Sequence, residues 1–129
     1  MKTRTFTTLM QIASATGCIW AASSLPVAAQ SLKCPMPHTL NSPGVLKESP
    51  AQIAETGGFL ASGDSVNPAP EVVADLRKRY PGVADAEIEN YLVTAYCPVV
   101  AKLDGLSVAE QQARVDRFAR QASVAVYGH

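Results

Sequence analysis

The sequence predicts an all-α domain, a small bundle of three to four short helices with a proline-rich N-terminal arm. Apolar residues recur at spacings of three and four in the second half of the chain, which is the period of a helix with one buried face. Helix-start signals precede several of these stretches. No segment shows sustained period-two alternation or a hairpin signal, so no strand is expected.

The N-terminal segment, residues 1–29, is predicted to be a secretory signal peptide. Lys2 and Arg4 form a basic start, and a long uncharged stretch follows up to Ala29. Small residues stand before the expected cut near Gln30, as signal peptidases require. The mature protein is therefore expected outside the cytoplasm, in the periplasm or secreted.

Two other interpretations of this segment stay open. An uncleaved membrane anchor fits its length, but polar residues interrupt the stretch and Pro26 breaks it. Ala15-Thr16-Gly17-Cys18 loosely resembles a bacterial lipobox, which would anchor the protein through a lipidated Cys18. The apolar run before Cys18 is short and lacks the usual leucine three residues earlier. After signal cleavage no integral membrane span is expected.

The mature chain is short and close to neutral. Removing residues 1–29 from 129 leaves about 100 residues, enough for one domain. The whole chain has 11 basic and 11 acidic residues, and Lys2 and Arg4 leave with the signal peptide. This balance gives no electrostatic reason to expect nucleic acid as a partner. The one basic run, Arg77-Lys78-Arg79, is predicted to be solvated, because its side chains point in different directions on a helix.

The cysteine count predicts one disulfide. Without Cys18 the only possible pair is Cys34 and Cys97, in a compartment that favours oxidation. Closing a loop of about 64 residues would stabilise the fold by roughly 4 kcal/mol in the chain-entropy model. Two free or metal-bound thiols are the alternative.

The mature chain divides into an irregular arm, residues 30–48, and a helical domain, residues 49–129. Prolines and a glycine make a helix unfavourable in the arm; they are Pro35, Pro37, Pro43 and Gly44. Ser49-Pro50-Ala51-Gln52 reads as a capping box with proline at the first helical position. This first helix is expected to be weakened by Gly57-Gly58, and a loop follows over residues 62–68.

Two further helices are predicted between the loop and Gly105. Pro70 opens the first of them, and Pro81-Gly82 ends it. Asp85 is expected to cap the next, which has the clearest apolar face in the chain; its members are Ile88, Tyr91, Leu92, Ala95, Tyr96, Val99, Val100 and Leu103. Pro98 should kink or split this helix, and Asp104-Gly105 should close it.

The last predicted helix starts at a second capping box, Ser107-Val108-Ala109-Glu110, and runs to about Val126. Its inward residues are expected to be Val108, Val115, Phe118, Ala119, Ala122 and Val126. Its outward residues are expected to be Gln111, Arg114, Asp116, Arg117 and Arg120.

One segment, Cys34-Pro35-Met36-Pro37-His38, could carry metal chemistry. Covalent haem attachment needs Cys-x-x-Cys-His, and the second cysteine is absent. A thiolate, a thioether and an imidazole at alternate positions could hold copper, but the prolines spread the side chains and a disulfide would consume Cys34. The expectation is therefore no cofactor and no metal, with a copper or haem carrier kept as an alternative function.

No arrangement typical of catalysis is found. His38 and His129 are the only histidines, and no serine lies in a Gly-x-Ser-x-Gly context. We therefore expect a non-enzymatic protein that binds an unknown partner in the cell envelope, with an apolar patch exposed around Phe59-Leu60 and Val66. In size, address and single disulfide the chain is similar to small helical acid-stress chaperones of the bacterial periplasm, which makes such a chaperone an alternative.

Overall fold

The fold is described from a computed structural model, in which residues 31–36, 46–62 and 67–128 are described. Four helices follow one another along the chain: α1 Pro50–Ala61, α2 Ala69–Arg79, α3 Asp85–Val100 and α4 Val108–Tyr127. These ranges contain no strand, and the predicted all-α class is confirmed. The predicted signal peptide, residues 1–29, lies outside the described residues.

The predicted arm is described only in part. Residues 31–36 and 46–49 form neither helix nor strand, and residues 37–45 lie outside the described ranges. Among the helices that are described, none combines the length and the apolar character needed to cross a membrane.

Both predicted capping boxes are present. The amide of Ser49 donates to the side chain of Gln52 at 2.8 Å, and the Gln52 amide donates to the Ser49 hydroxyl at 3.3 Å. Ser107 and Glu110 make the same reciprocal pair at 2.7 and 3.3 Å. Because the first amides of a helix lack partners within it, these side chains satisfy groups that would otherwise depend on water.

The third helix differs from its prediction at both ends. Asp85 is the first helical residue, and Ala84 takes the cap position without a side-chain hydrogen bond. The helix continues through Pro98 without being split and ends at Val100. Since a proline removes one backbone hydrogen bond, its position in the last turn leaves the preceding turns intact. The chain then turns before Gly105, whose φ of +80° suits a residue without a side chain.

The core lies around α3, which packs against both α1 and α4, while α2 packs against α4 and α3. Large apolar side chains from all four helices are buried there; they include Leu60, Val73, Leu76, Ile88, Leu92 and Phe118. The ring of Tyr96 stacks on that of Phe118, with centroids 3.9 Å apart. The helical spacing of apolar residues therefore marked the buried faces correctly.

The crossing of α1 and α3 depends on Gly57. This glycine is buried, and a Cβ placed on it would lie 2.1 Å from the carbonyl oxygen of Ala95. Helix α1 runs through Gly57 and Gly58 without interruption. The sequence predicted that Gly57 would weaken α1. In the structure, Gly57 instead lies where the backbones of α1 and α3 approach each other closely.

Gln111 is buried, whereas the sequence pattern placed it on the outside of α4. Its Nε2 donates to the carbonyl of Ala101 at 3.4 Å. That carbonyl lies just after α3, where the last carbonyls of a helix lack partners within it. The Gln111 side chain thus supplies a hydrogen-bond donor to a carbonyl at the end of α3. Helical periodicity alone does not reveal such a role.

Candidate functional site

A buried carboxylate, that of Glu48, lies two residues before α1. Its side chain is 1% exposed, and a charge out of water is costly unless it is paired and hydrogen-bonded. Its Oε1 accepts a hydrogen bond from the Tyr80 hydroxyl at 2.7 Å and forms an ion pair with the guanidinium of Arg79. The hydroxyl of Tyr91 lies 3.4 Å from its Oε2. These three partners compensate the burial of the charge.

The contacts around Glu48 join separate parts of the fold. Arg79 ends α2, Tyr80 follows it, and Tyr91 lies in α3. The Tyr91 hydroxyl is also 3.1 Å from Oγ1 of Thr56 in α1. We call Glu48, Thr56, Arg79, Tyr80 and Tyr91 the Glu48 network. It ties the segment before α1 to three helices, so it fixes where the guanidinium of Arg79 lies.

The Glu48 network keeps its two phenols protonated. The hydrogen bond to Glu48, followed by burial, raises the pKa of Tyr80 above its ordinary value. Burial is the main cause that raises the pKa of Tyr91, and the negative charge of Glu48 acts in the same direction. Both hydroxyls therefore remain donors toward the carboxylate well above neutral pH.

The raised pKa of Tyr91 predicts a loss of stability in alkali. Because the folded pKa exceeds the unfolded value of about 10, the contribution of this phenol is fully present below that pH and declines above it. We expect the free energy of unfolding to fall more steeply above pH 10 in the natural protein than in Tyr91→Phe. Urea unfolding of both proteins between pH 7 and pH 11 measures this, and parallel curves would contradict it.

An open groove of about 390 Å³ lies between α1 and α2, next to the Glu48 network. We call it the acidic groove; it is lined by Glu48, Gln52, Glu55, Thr56, Phe59, Glu71, Val72, Asp75 and Arg79. Phe59 is 43% exposed, so its side chain is accessible from the groove. The groove therefore combines polar walls with one aromatic contact.

The charges of the acidic groove are mostly negative. Its lining holds four carboxylates and one guanidinium, that of Arg79. Arg79 is shared between Glu48 and Asp75, whose Oδ2 lies 2.7 Å from its Nε. Glu55 and Glu71 form no ion pair within the described ranges. A cation that enters the groove would meet two carboxylates that no residue of the described chain neutralises.

A second hollow of about 410 Å³ lies on another side of Arg79. We call it the basic hollow; it is lined by Leu46, Lys47, Arg79, Tyr80, Pro81, Gly82 and Val83. Among the described residues that line it, the charged groups are the ammonium of Lys47 and the guanidinium of Arg79. Arg79 thus lines both depressions, held in place by the Glu48 network.

The predicted disulfide between Cys34 and Cys97 is present. The two Cα atoms are 5.5 Å apart, within the usual range for a disulfide. Cys97 is 1% exposed and packs with Val100 and Val115, and Leu32 covers the same cluster. The bond therefore fastens residues 31–36 onto α3 and α4.

The segment considered for metal binding is arranged differently from a copper site. The Cys34 sulfur is bonded to Cys97, Met36 is 82% exposed, and His38 lies outside the described residues. In the described ranges no group of three or more His, Cys, Asp or Glu residues could hold a metal ion. Of the residues in this prediction that the structure describes, it brings the two cysteines together and leaves Met36 in solvent.

The structure corrects one surface prediction and adds contacts to another, since Arg77, Lys78 and Arg79 are all exposed as predicted. Phe59 is exposed as expected, but Leu60 is 3% exposed and belongs to the core, and Val66 lies outside the described residues. In the basic run, Arg79 is part of the Glu48 network. Arg77 bonds Asp85 at 2.7 Å and the carbonyl of Val126 at 2.8 Å. Two of the three cations thus hold the bundle together.

Comparison of the chain with protein-family models, with curated proteins and with solved structures gives no match.

Glu48 is the central residue of this site, and the sequence did not reveal it. It stands at the end of a proline-rich stretch, beside the capping serine Ser49, and looks like an ordinary exposed acid. Tyr91, which was expected on the apolar face of the third helix, is buried, and it shares Glu48 as a partner with Tyr80. Their shared partner depends on a contact between Glu48 and Tyr91 across 43 residues of chain, which no local pattern encodes.

Proposed function

We propose that this protein is a non-enzymatic binding module of the cell envelope, and that it docks a cationic segment of a partner protein in the acidic groove. The observation that carries the proposal is the groove itself, where Glu55 and Glu71 flank an exposed Phe59. Carboxylates attract lysine and arginine side chains. The aromatic face adds contact with their aliphatic stems and attraction for their charge.

The disulfide supports the envelope location. Disulfides persist in oxidising compartments and are rare in the cytosol of most organisms. The segment expected to direct export, residues 1–29, has the charge and apolar order of a secretory signal. A partner encountered there would be another exported or membrane-attached protein.

The proposal is tested by adding acetyl-Lys-Leu-Lys-amide to the isotope-labelled protein and following amide chemical shifts. We expect shifts confined to α1 and α2, which weaken as salt is added because exposed charges are screened. The variant Glu55→Gln/Glu71→Gln should bind about fivefold more weakly, since each exposed charge contributes a fraction of a kcal/mol.

The matched control is Asp104→Asn/Asp116→Asn, which removes two exposed carboxylates outside the groove. This variant has the same net charge as the groove variant and should bind the peptide like the natural protein. Equal weakening in both variants, or shifts centred on another surface, would show that attraction is general and would end the proposal. Acetyl-Gln-Leu-Gln-amide should cause no shifts.

A second candidate function, an acid-responsive chaperone, is favoured by the burial of Glu48. The ion pair between this carboxylate and Arg79 is a charged link between the segment before α1 and α2, and ion pairs of this kind are lost in acid-denatured states. Loosened packing exposes apolar surface, which is the property that such a chaperone uses.

We expect this second function to show as a loss of near-ultraviolet circular dichroism and a gain of dye binding between pH 7 and pH 2.5. The variant Glu48→Gln, which lacks the charge at every pH, should be less stable at pH 7 and should show a smaller difference between the two conditions. A fully folded monomer at pH 2.5 would rule the chaperone out.

A further inference from the structure

The basic hollow adds a second charge requirement to the proposed ligand. We infer that the docked segment carries a carboxylate as well as a cationic side chain, with the cation in the acidic groove and the carboxylate in the basic hollow. This inference rests on the proposed function, because both depressions would hold one peptide. The expected partner is then a segment that carries both a cationic side chain and a carboxylate, instead of a purely basic segment.

The placement of Arg79 is the first step of the argument. This residue lines both depressions, so the two depressions adjoin at Arg79. Its Nη1 and Nε are occupied by Glu48 and Asp75. Within the described ranges its Nη2 has no hydrogen-bond partner. An arginine presents five donors, so donors remain for an incoming acceptor.

Lys47 supplies the second cation. It follows Leu46 on the wall of the basic hollow, is exposed, and forms no ion pair with any described residue. Arg79 is already paired with Glu48 and Asp75, so an incoming carboxylate would form its ion pair with Lys47 and would accept a hydrogen bond from Nη2 of Arg79. An apolar wall, formed by Leu46, Pro81 and Val83, would exclude some of the water that screens the charges.

The Glu48 network makes this arrangement rigid. Tyr80, which lines the basic hollow, donates to Glu48, which lines the acidic groove. The Tyr80 hydroxyl also lies 3.3 Å from the carbonyl of Lys47. The residues that separate the two depressions are therefore fixed in position before a ligand binds, which reduces the conformational entropy lost on binding.

Four capped peptides test the inference: acetyl-Lys-Ala-Ala-Glu-amide, its Gln-for-Glu counterpart, its Gln-for-Lys counterpart, and the peptide with both replacements. The same four peptides are also made with the lysine and glutamate positions exchanged, and with one or three alanines between them. Comparison of their affinities gives the spacing and the chain direction that the two depressions require. We expect at least one mixed-charge peptide to bind about fivefold more tightly than its lysine-only counterpart.

Two variants assign this gain to the basic hollow. In Lys47→Gln the gain from the carboxylate should shrink to less than twofold, while the affinity for the lysine-only peptide should not fall. The matched control Lys78→Gln removes an exposed cation of α2 that lines neither depression and should preserve the gain. Both sites are exposed, and circular dichroism checks that both variants are folded.

The outcomes separate this inference from the proposed function. Binding of the lysine-only peptides in the acidic groove, with no gain from a carboxylate in any spacing or order, would overturn the inference and leave the proposed function standing. A gain that survives in Lys47→Gln would overturn it as well. If neither the mixed-charge nor the lysine-only peptides bind, the proposed function fails and the inference falls with it.

Discussion

Reduction of the Cys34–Cys97 disulfide is expected to lower the free energy of unfolding by roughly 4 kcal/mol. The bond joins residues 63 positions apart, so the oxidised unfolded chain is restricted by a long closed loop. Domains of this size are held by only about 5–15 kcal/mol. The loss is therefore a large part of the total, and urea unfolding with and without a phosphine reductant measures it.

A double variant separates the constraint from the packing. Reduced natural protein keeps both sulfur atoms, whereas Cys34→Ala/Cys97→Ala also removes a sulfur that is buried against Val100 and Val115. We expect the alanine variant to be less stable than the reduced protein by about 1 kcal/mol, the usual effect of a small cavity. A total loss below about 1 kcal/mol in the reduced protein would show that the bond contributes little.

Gly57→Ala is expected to destabilise the protein by about 2–3 kcal/mol, although alanine is the better helix former. The new Cβ would lie 2.1 Å from the carbonyl oxygen of Ala95 and 3.1 Å from Cγ2 of Val99. A backbone carbonyl cannot rotate away as a side chain can, so α1 and α3 must separate. Overpacking typically costs about 1–3 kcal/mol and occasionally more. A separation of 2.1 Å from a backbone atom belongs at or above the top of that range, so about 2 kcal/mol or more remains after the helix-propensity gain of about 1 kcal/mol is subtracted.

Gly58→Ala is the matched control for this prediction. Gly58 is exposed, and an added Cβ there meets nothing within 4 Å. This substitution should raise the free energy of unfolding by about 0.5–1 kcal/mol, because alanine restricts the unfolded chain and favours the helix. Neighbouring glycines are thus expected to give changes of opposite sign in urea unfolding. The same sign in both would show that the helices do not approach this closely.

Local signals explain which elements could be predicted. Ser49 and Ser107 each stand three residues before a side chain that completes a capping box, and both contacts lie within one turn of helix. The apolar face of α3 has the period of a helix, so burial of Ile88 and Leu92 followed from spacing. The disulfide was predictable because only one pairing of the mature cysteines exists.

Gly57 shows why other features were not predictable. Neighbouring glycines have the same local preferences, and both are expected to weaken a helix. One of them lies at the crossing with α3 and the other faces solvent. The difference is set by where Ala95 lies, and that position depends on the packing of the whole bundle.

The sequence by itself determined the fold class, the capped helix starts at Ser49 and Ser107 and the disulfide pairing, because each rests on residues that are close in the chain or on a count. The tertiary structure alone decided the candidate site. Glu48 meets Tyr80 and Tyr91 across 32 and 43 residues, and the acidic groove is lined by residues of both α1 and α2, which the tertiary fold brings to its two walls. Contacts between residues that are distant in the chain depend on how the helices pack, and a local sequence pattern does not specify that packing.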